Sequence, residues 1–394
     1  MARVSARPAQ ASGPKAGPVA GLVHGADLPR MDLAGRLDRL RELMGAVGCE
    51  ALLVSNLVNV RYLTGFSGSA GLLLVRDGDA VLVTDGRYAV QAPAEVGRAG
   101  AGVRVGAVPA RQQPAMLADL AVGLARVGLE AEHISWARQC QYADGWARGT
   151  ELVPTAGLVE HLRERKDAGE RARSATAAAI ADEAFAAVLP LLEQRPSEAE
   201  VAAALDAQMR RLGAEAPAFD TIVACGPHAA EPHHHPCSAR LDPGELVVVD
   251  FGARVEGYCS DMSRTVRVGE AEGVVPELRR ALSVVLASQD AGLCAVREGV
   301  AAAEVDRACR EVVEAAGLGE LFMHGSGHGV GLDVHEAPAL AALSEDILST
   351  GQVVTVEPGV YIPGLGGART EDTVVITEAG CEVLTLAPKE LALQ

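Results

Sequence analysis

The sequence predicts an α/β (α+β) chain of two units, the first built around a mixed sheet. Three observations lead there. At 394 residues the chain exceeds the roughly 250–300 at which a single core stops growing. Apolar runs of strand length alternate with helical patterns from about residue 31 onward. One turn between such runs, RDGDA, has the composition of a hairpin, which a purely parallel sheet does not contain.

Residues 1–30 are rich in Ala, Gly and Pro without periodicity, so a disordered extension is expected there. Asp32 is placed to cap a helix whose apolar stripe is Leu33, Leu37, Leu40, Met44 and Val47. ALLVS (51–55), GLLLV (71–75), AVLVT (80–84) and VRVGAV (103–108) read as strands, and residues 114–126 as a helix. The first unit is therefore expected to span 31–155. HLRERKDAGERARSA then leads into a long Ala-rich helix that Pro196 should stop, and Ser197 with Glu200 fits a capping box for the next helix. The second unit, 160–394, sets acidic residues among short apolar strands. No repeat of solenoid period is present.

Composition excludes several function classes. The 52 acidic and 35 basic residues leave a net charge of −17, which repels nucleic acid and anionic membranes alike. No apolar run approaches the roughly 18–20 residues that span a bilayer, and the N-terminus lacks the apolar core of a signal peptide. A cytoplasmic protein is expected. Eight cysteines are scattered without a CxxC pair, which suggests buried thiols in a reducing compartment rather than a zinc ribbon or a dithiol redox site.

The chemistry concentrates in the second unit. In ELVVVDFGARVEGYCSDMSRTVRV, a two-residue turn at Val255 and Glu256 would set Asp250 opposite Asp261, with Cβ atoms about 4.5–5.5 Å apart. Opposed carboxylates in an apolar sheet need a cation or a proton unless the strands lie at a solvated edge. Glu357 ends the run QVVTVEPGVYI and Glu371 opens RTEDTVVIT; buried glutamates in strands are unusual. With His328 these make four carboxylates and one imidazole, a set able to hold two divalent ions and suited to Mn²⁺ or a similar metal. In HGSGHGVGLDVHEAP the glycines would let the backbone pass close to an ion at His328, with His324 and His335 in reach of the same cavity. A phosphate-binding Gly-rich loop competes for this segment, but no Lys follows and the histidines would be idle. In AEPHHHPCSARL, His234 and His235 read as surface-loop residues. DFG at 250–252 lacks the other kinase segments.

These pieces in this order resemble the metal-dependent pita-bread peptidases, and the long form resembles Xaa-Pro aminopeptidases and Xaa-Pro dipeptidases (prolidases). The resemblance covers about residues 31–390. It rests on NVRYLTGFSGSAG and VTDGRYAVQA in a creatinase-like N-terminal domain, and on FDTIVACGPHAAEPH, VVVDFGARVEGYCSDMSRT, HGSGHGVGLDVHE, VEPGVYIP and ARTEDTVVIT in a pita-bread catalytic domain. It implies Asp250, Asp261, His328, Glu357 and Glu371 as metal ligands, with Asp261 and Glu371 bridging two ions, Mn²⁺ preferred and Co²⁺ or Zn²⁺ as alternatives. It implies His233 as the substrate-facing histidine, His324 and His335 lining the pocket, and Tyr361 and Arg369 close by. The departures are Ser326, His228 and Thr370, where the family commonly has a hydrophobic residue or Thr, an Asn, and an aliphatic residue.

The implied activity is hydrolysis of the Xaa-Pro bond at the N-terminus of peptides with proline second. Two ions would lower the pKa of a bridging water and polarise the scissile carbonyl. Glu357 would carry the proton toward the leaving nitrogen, and His335 and His233 would donate to the developing oxyanion. Arg369 would meet a substrate carboxylate or anchor His324 and nearby acids. A dipeptidase is the alternative within the family, and an inactive binding module on the same fold the alternative of another class. Methionine aminopeptidases usually lack the N-terminal domain, and creatinases lack the full metal set. A homodimer is implied by the resemblance.

Overall fold

A computed structural model describes residues 28–145, 149–268, 273–389 and 391–393. The extension expected over residues 1–30 thus lies, up to residue 27, outside the described residues. Its last three residues are ordered: Leu28 packs on the core beneath the long helix, and the Pro29 carbonyl accepts from Arg173 at 2.9 Å. The first helix, α1 (Arg36–Ala46), starts a turn after Asp32 and takes Gly35 as its N-cap. Asp32 uses its backbone N–H on the Asp167 carboxylate instead. Leu33, Leu37, Leu40 and Met44 are buried as the stripe requires, while Val47, past the helix end, is exposed.

The first sheet is mixed, as the hairpin demanded. Its strands β1 (Ala51–Val54), β2 (Leu72–Arg76), β3 (Ala80–Thr84), β4 (Arg104–Ala107), β5 (Arg126–Glu130) and β6 (Glu151–Thr155) lie in the order β4-β3-β2-β1-β5-β6. β1–β2 and β2–β3 are antiparallel; β3–β4, β1–β5 and β5–β6 are parallel. Helices α2 (Leu57–Thr64), α3 (Gln91–Ala99), α4 (Gln113–Ala121) and α5 (Trp136–Gly145) connect them. The helix expected to run to residue 126 stops at Ala121, because Gly123 takes φ +85°. The chain then enters β5, which pairs with β1 as an interior strand.

The charged stretch after β6 is a set of buried ion pairs. α6 (Leu158–Arg163) delivers Arg163, 3% exposed, to Asn59 of α2 and to Asp333 and Glu336 of the second unit. Lys166 also pairs with Glu336. Arg36 of α1 is 1% exposed and bridges Asp167 and Glu170 at 2.9 Å each. Those two acids form the capping box of α7 (Ala168–Leu192). Gly169 there admits the backbone of Arg30, which a Cβ would crowd at 2.5 Å.

α7 ends at Leu192, short of Pro196, and by length and composition alone it could cross a membrane, contrary to the expectation that no segment could. Its Ala177, Ala181, Ala184, Phe185 and Val188 instead enter the core. Asp182 on it accepts from the N–H groups of Leu386 and Ala387, both at 2.8 Å. α8 (Glu198–Arg211) carries the expected Ser197/Glu200 capping box.

The remaining strands are β7 (Ala216–Pro217), β8 (Ile222–Cys225), β9 (Leu246–Phe251), β10 (Ala253–Val255), β11 (Tyr258–Cys259), β12 (Met262–Val268), β13 (Gly327–Gly329), β14 (Glu336–Leu340), β15 (Val353–Val356), β16 (Gly359–Ile362), β17 (Gly366–Arg369), β18 (Asp372–Thr377), β19 (Gly380–Val383) and β20 (Leu391–Leu393). They form two main sheets, β20-β12-β9-β8 and β14-β13-β15-β18-β19, with the smaller pieces β11-β10-β7 and β16-β17. α9 (Pro276–Ala295) and α10 (Ala302–Ala315) cover the second sheet through Val285, Val305 and Val313.

The turn after β10 falls one residue later than expected. It uses Glu256 and Gly257, at φ +44° and +87°, the positive φ at both positions that a type I′ turn needs. Asp250 therefore faces Ser263, not Asp261. The register moves by two residues, so Asp261 keeps the face it was expected to have. Gly252 leaves room for the Ser260 carbonyl, which any Cβ would overlap.

The β2–β3 turn yields a test. Donation from Arg76, and then from Arg104, overcomes burial and holds the Asp79 carboxyl at about 2, below its ordinary 3.8. A depressed acid stabilises the fold fully above its unfolded pKa and loses that contribution as pH falls toward the folded one. Asp79→Asn should cost about 1 kcal/mol at neutral pH in urea unfolding, after allowance for screening of these half-exposed pairs. The difference from wild type should narrow below about pH 4; a gap constant with pH would contradict the ion-pair account.

Candidate metal centre

The ends of strands from the two main sheets meet in one cavity of about 510 Å³. Asp250 is the penultimate residue of β9, Asp261 leads into β12, His328 is the middle residue of β13, Glu357 follows β15, and Glu371 precedes β18. All five line the cavity, together with His233, His324, His335 and Arg369. His328 donates from Nδ1 to the Gly329 carbonyl (3.1 Å), which turns Nε2 toward Glu357 Oε1 at 3.3 Å and Asp261 Oδ2 at 3.7 Å. Asp261, His328 and Glu371 each offer a ligand atom within 4.8 Å of the other two.

Two oxygens show what the cluster lacks. Asp250 Oδ2 accepts from Arg369 (2.7 Å) and Glu371 Oε2 from Ser263 (2.8 Å), yet Asp250 Oδ1 and Glu371 Oε1 are buried with no donor. A buried carboxylate oxygen left bare is costly, and a cation is the usual remedy. Oxygen-rich donors with one imidazole suit divalent ions of borderline hardness, so these residues fit such ions.

The electrostatics agree. Burial raises the carboxyls of Asp250, Asp261 and Glu371, and mutual repulsion adds to it, from Glu371 and Asp250 on Asp261 and from Glu357 on the other two. Burial opposes ionisation of Glu357 as well, but the adjacent His328 imidazole outweighs it. Three of the four acids are thus poised to take protons unless a cation replaces them.

Around the cage, a buried polar frame fixes the donors. Arg369, 3% exposed, spends four of its five N–H donors on Ser263 Oγ (2.8 Å), the Pro232 carbonyl (3.2 Å), Tyr361 Oη (2.9 Å) and Asp250. These are the contacts of an anchor within the protein. Tyr361 in turn donates to His324 Nε2 (2.8 Å), whose Nδ1–H donates to the Gly325 carbonyl (2.7 Å). Both ring nitrogens of His324 are therefore occupied, and burial keeps its pKa low. His335 packs against His328, with ring centroids 4.3 Å apart and planes at 58°, and His233 stands at the exposed rim.

Several features are not visible in the sequence. The glycines flanking His328 accommodate neighbouring strands rather than an ion: a Cβ on Gly327 would strike the Thr355 carbonyl, and one on Gly329 the Ala337 carbonyl. His234 is no surface-loop residue, because its ring stacks on His228 and reaches the buried Glu198; His235 is exposed at the cavity edge, as expected. Ser263 and Arg264 carry roles that no motif announces. Arg264 and Asp372, both 0% exposed, pair at 2.8 Å, and the same guanidinium donates to the backbone carbonyls of Ser263 and Glu371. Strand alternation was the available signal: Glu371 faces the cavity, so Asp372 must face away and needs a cation there.

A cage of carboxylates and imidazole at strand ends, open to a cavity on one side, is an arrangement suited to a metal-dependent hydrolase. Comparison with known proteins gives the family. Residues 172–378 match metallopeptidase family M24, and residues 36–165 match the creatinase/prolidase N-terminal domain. The chain belongs to this peptidase family and has its pita-bread fold. It is 39% identical to the peptidase YqhT of Bacillus subtilis over 358 residues, 91% of this chain and 99% of that one. It is 33% identical to an Xaa-Pro dipeptidase of Pyrococcus furiosus over 90% of this chain and 99% of that one. Among solved structures, an Xaa-Pro dipeptidase from Bacillus anthracis superposes with a TM-score of 0.87 at 36% identity, covering 92% of this chain and 100% of that one. An X-Pro aminopeptidase from Thermotoga maritima does so with a TM-score of 0.82 at 33% identity, covering 90% and 100%.

The frame around the cage can be tested apart from catalysis. Arg264→Met removes one side of a fully buried pair and leaves Asp372 with only Lys389 and neutral donors. It should cost about 3 kcal/mol in urea unfolding of chelator-treated protein. A loss below about 1 kcal/mol would mean that Lys389 alone suffices.

Proposed function

We propose that Asp250, Asp261, His328, Glu357 and Glu371 hold two divalent ions, with Mn²⁺ the first choice, and that the chain is an Xaa-Pro aminopeptidase. The observation that carries the reading is the pair of bare buried oxygens, Asp250 Oδ1 and Glu371 Oε1, in a cage of four carboxylates. When bound, the ions would supply Lewis acidity that makes water ionisable near neutral pH and polarises the scissile carbonyl.

The chain's own residues do the rest. Glu357, beside His328, takes the proton of the attacking water and passes it to the leaving nitrogen. That proton matters because a proline nitrogen leaves as a secondary amine and its amide has no N–H of its own. His335, whose pKa burial and the neighbouring His328 lower, stays neutral and donates one N–H to the carbonyl oxygen as charge develops, with His233 approaching from the rim. His324, Tyr361 and Arg369 form a fixed chain that orients Asp250 and the cavity wall. Gly325, Gly327, Ala339 and Ala341 leave that wall shallow beside the apolar Phe219 and Ile222, a fit for a proline ring.

Among the described lining residues Arg369 is the sole Lys or Arg, and four of its five donors are taken by Ser263, Pro232, Tyr361 and Asp250. No free lysine or arginine among them then stands ready to clasp the carboxylate of a dipeptide, which supports an aminopeptidase. The names of the relatives from Pyrococcus furiosus and Bacillus anthracis favour the second reading, an Xaa-Pro dipeptidase. We place the boundary between the two domains at about residues 155–160, and the protein in the cytoplasm as a homodimer; the eight free thiols support a reducing compartment.

Chelator-stripped protein reloaded with Mn²⁺ should release alanine from Ala-Pro-Ala and leave Met-Ala-Ser intact. Release from Ala-Pro alone would make it a dipeptidase, and cleavage of the Met peptide only would overturn the substrate class. Asp261→Ala should lose both bound metal and turnover, and an active variant would refute the ligand assignment. His335→Gln should retain metal while kcat falls by about 10²-fold.

A further inference from the structure

Beside the cage lies a second convergence of donors, which the peptidase reading does not use. Glu198, in the first turn of α8, has a side chain 0% exposed. Its Oε1 accepts the N–H of Cys225 (2.9 Å) and lies 2.9 Å from His228 Nδ1. Its Oε2 lies 2.9 Å from His234 Nε2 and 3.1 Å from Cys237 Sγ, and accepts the N–H of Cys237 (3.1 Å). The imidazoles of His228 and His234 stack with centroids 4.3 Å apart and planes at 22°, so that both direct a nitrogen at the same carboxylate. One ligand atom from each of the four residues falls within 4.8 Å of all the others.

We propose that Glu198, His228, His234 and Cys237 form a mononuclear site for a zinc-like divalent cation, separate from the carboxylate cage. Two imidazoles, one thiolate and one carboxylate match the donor types and number of a closed tetrahedral Zn²⁺ site, and the thiolate selects against the harder ions that suit the cage. Charge balances: one thiolate and one carboxylate neutralise a divalent ion while both imidazoles stay neutral. The outer contacts are those that hold metal ligands in place. His234 presents its other nitrogen, Nδ1, to Glu231 Oε2 at 3.2 Å, the carboxylate–histidine–metal arrangement, and the Ala239 N–H points at Cys237 Sγ at 3.4 Å.

Bond lengths of about 2.0–2.3 Å to a tetrahedral ion put ligand atoms roughly 3.3–3.6 Å apart. The present 2.9–3.1 Å separations are hydrogen-bonding distances, so binding opens each by about half an ångström, releases the Cys237 thiol proton and shifts each imidazole proton to the ring nitrogen that faces away from the ion. Cys225 is the nearest other thiol, but its Sγ turns to the Arg240 carbonyl (3.6 Å) and burial pushes its pKa up. The ion would staple residues 228–237 to α8, and that segment carries His233 to the rim of the catalytic cavity and Pro232 to Arg369.

The test is an anaerobic Co²⁺ titration of the full-length, chelator-stripped protein, read by its near-ultraviolet thiolate-to-cobalt charge-transfer band, which the thiol-free cage cannot produce. The band should appear in wild type, saturate at one Co²⁺ per chain once the cage is emptied by Asp261→Ala, and disappear in Cys237→Ser. In His228→Asn its midpoint should move to at least about 10-fold higher Co²⁺. Asp261→Ala, which empties the cage, should keep it, so failure of the peptidase reading and failure of this one are distinguishable. Absence of the band in wild type, or its survival in Cys237→Ser, would overturn the proposal and leave Glu198 the centre of a hydrogen-bonded knot. Circular dichroism of the variants before metal addition separates loss of a ligand from loss of the fold.

Discussion

Four buried or half-buried carboxylates around one imidazole is the arrangement on which the second half of this chain depends. Like charges out of water repel strongly, and nothing in an apolar sheet holds them together. The surrounding structure supplies what opposes that repulsion. Arg369 neutralises Asp250, Ser263 donates to Glu371, His328 lowers Glu357, and Arg264 grips the backbone on either side of the cage. Yet one oxygen on each of Asp250 and Glu371 remains bare. The protein balances most of the charge itself and leaves a deficit of positive charge in the middle, which is a metal site stated in electrostatic terms.

The segment just after the domain boundary reaches this centre through charge as well. Arg163 leaves α6, passes Asn59, and holds Asp333 and Glu336; Lys166 holds Glu336 from the other side. Between these two acids in sequence lies His335, whose ring rests on His328. An imidazole in a glycine-rich segment would otherwise sample many rotamers. The clamp fixes the backbone on both sides of it, and because Asn59 of the first unit holds Arg163, that unit helps to position a cavity residue without entering the cavity.

Much of this is legible in the sequence, for identifiable reasons. Acidic residues that interrupt apolar runs, as Glu357 and Glu371 do, stand out because burial of such groups is costly. The α8 capping box announces itself by residue type and spacing. The features that are not legible depend on partners distant in sequence. RVGLE as an interior strand is indistinguishable from a helix end until β1 pairs with it. The turn at Glu256 and Gly257 lies one position from its expected place because Gly257, a residue that takes positive φ freely, also reads as the start of the next strand. Arg264 looks like one more charge on a strand, though it is wholly buried. His234 looks like a loop residue because its partner, Glu198, lies 36 positions upstream.

The case of His234 generalises. A search by spacing finds metal sites whose ligands are close in sequence, such as CxxC pairs, and this chain has none. Its two convergent donor sets, the cage and the Glu198 cluster, both draw on separate segments joined only by the fold. They differ in chemistry, oxygen-rich in one and with a thiol and two imidazoles in the other, so a hard ion such as Mn²⁺ that suits the cage is a poor competitor for the thiol-containing set. They also share a segment: Pro232, His233, His234 and His235 line the cavity of the first, and His228, His234 and Cys237 are donors of the second. A structural ion there would act on catalysis only through the position of that segment, by restricting where His233 and the Pro232 carbonyl can stand.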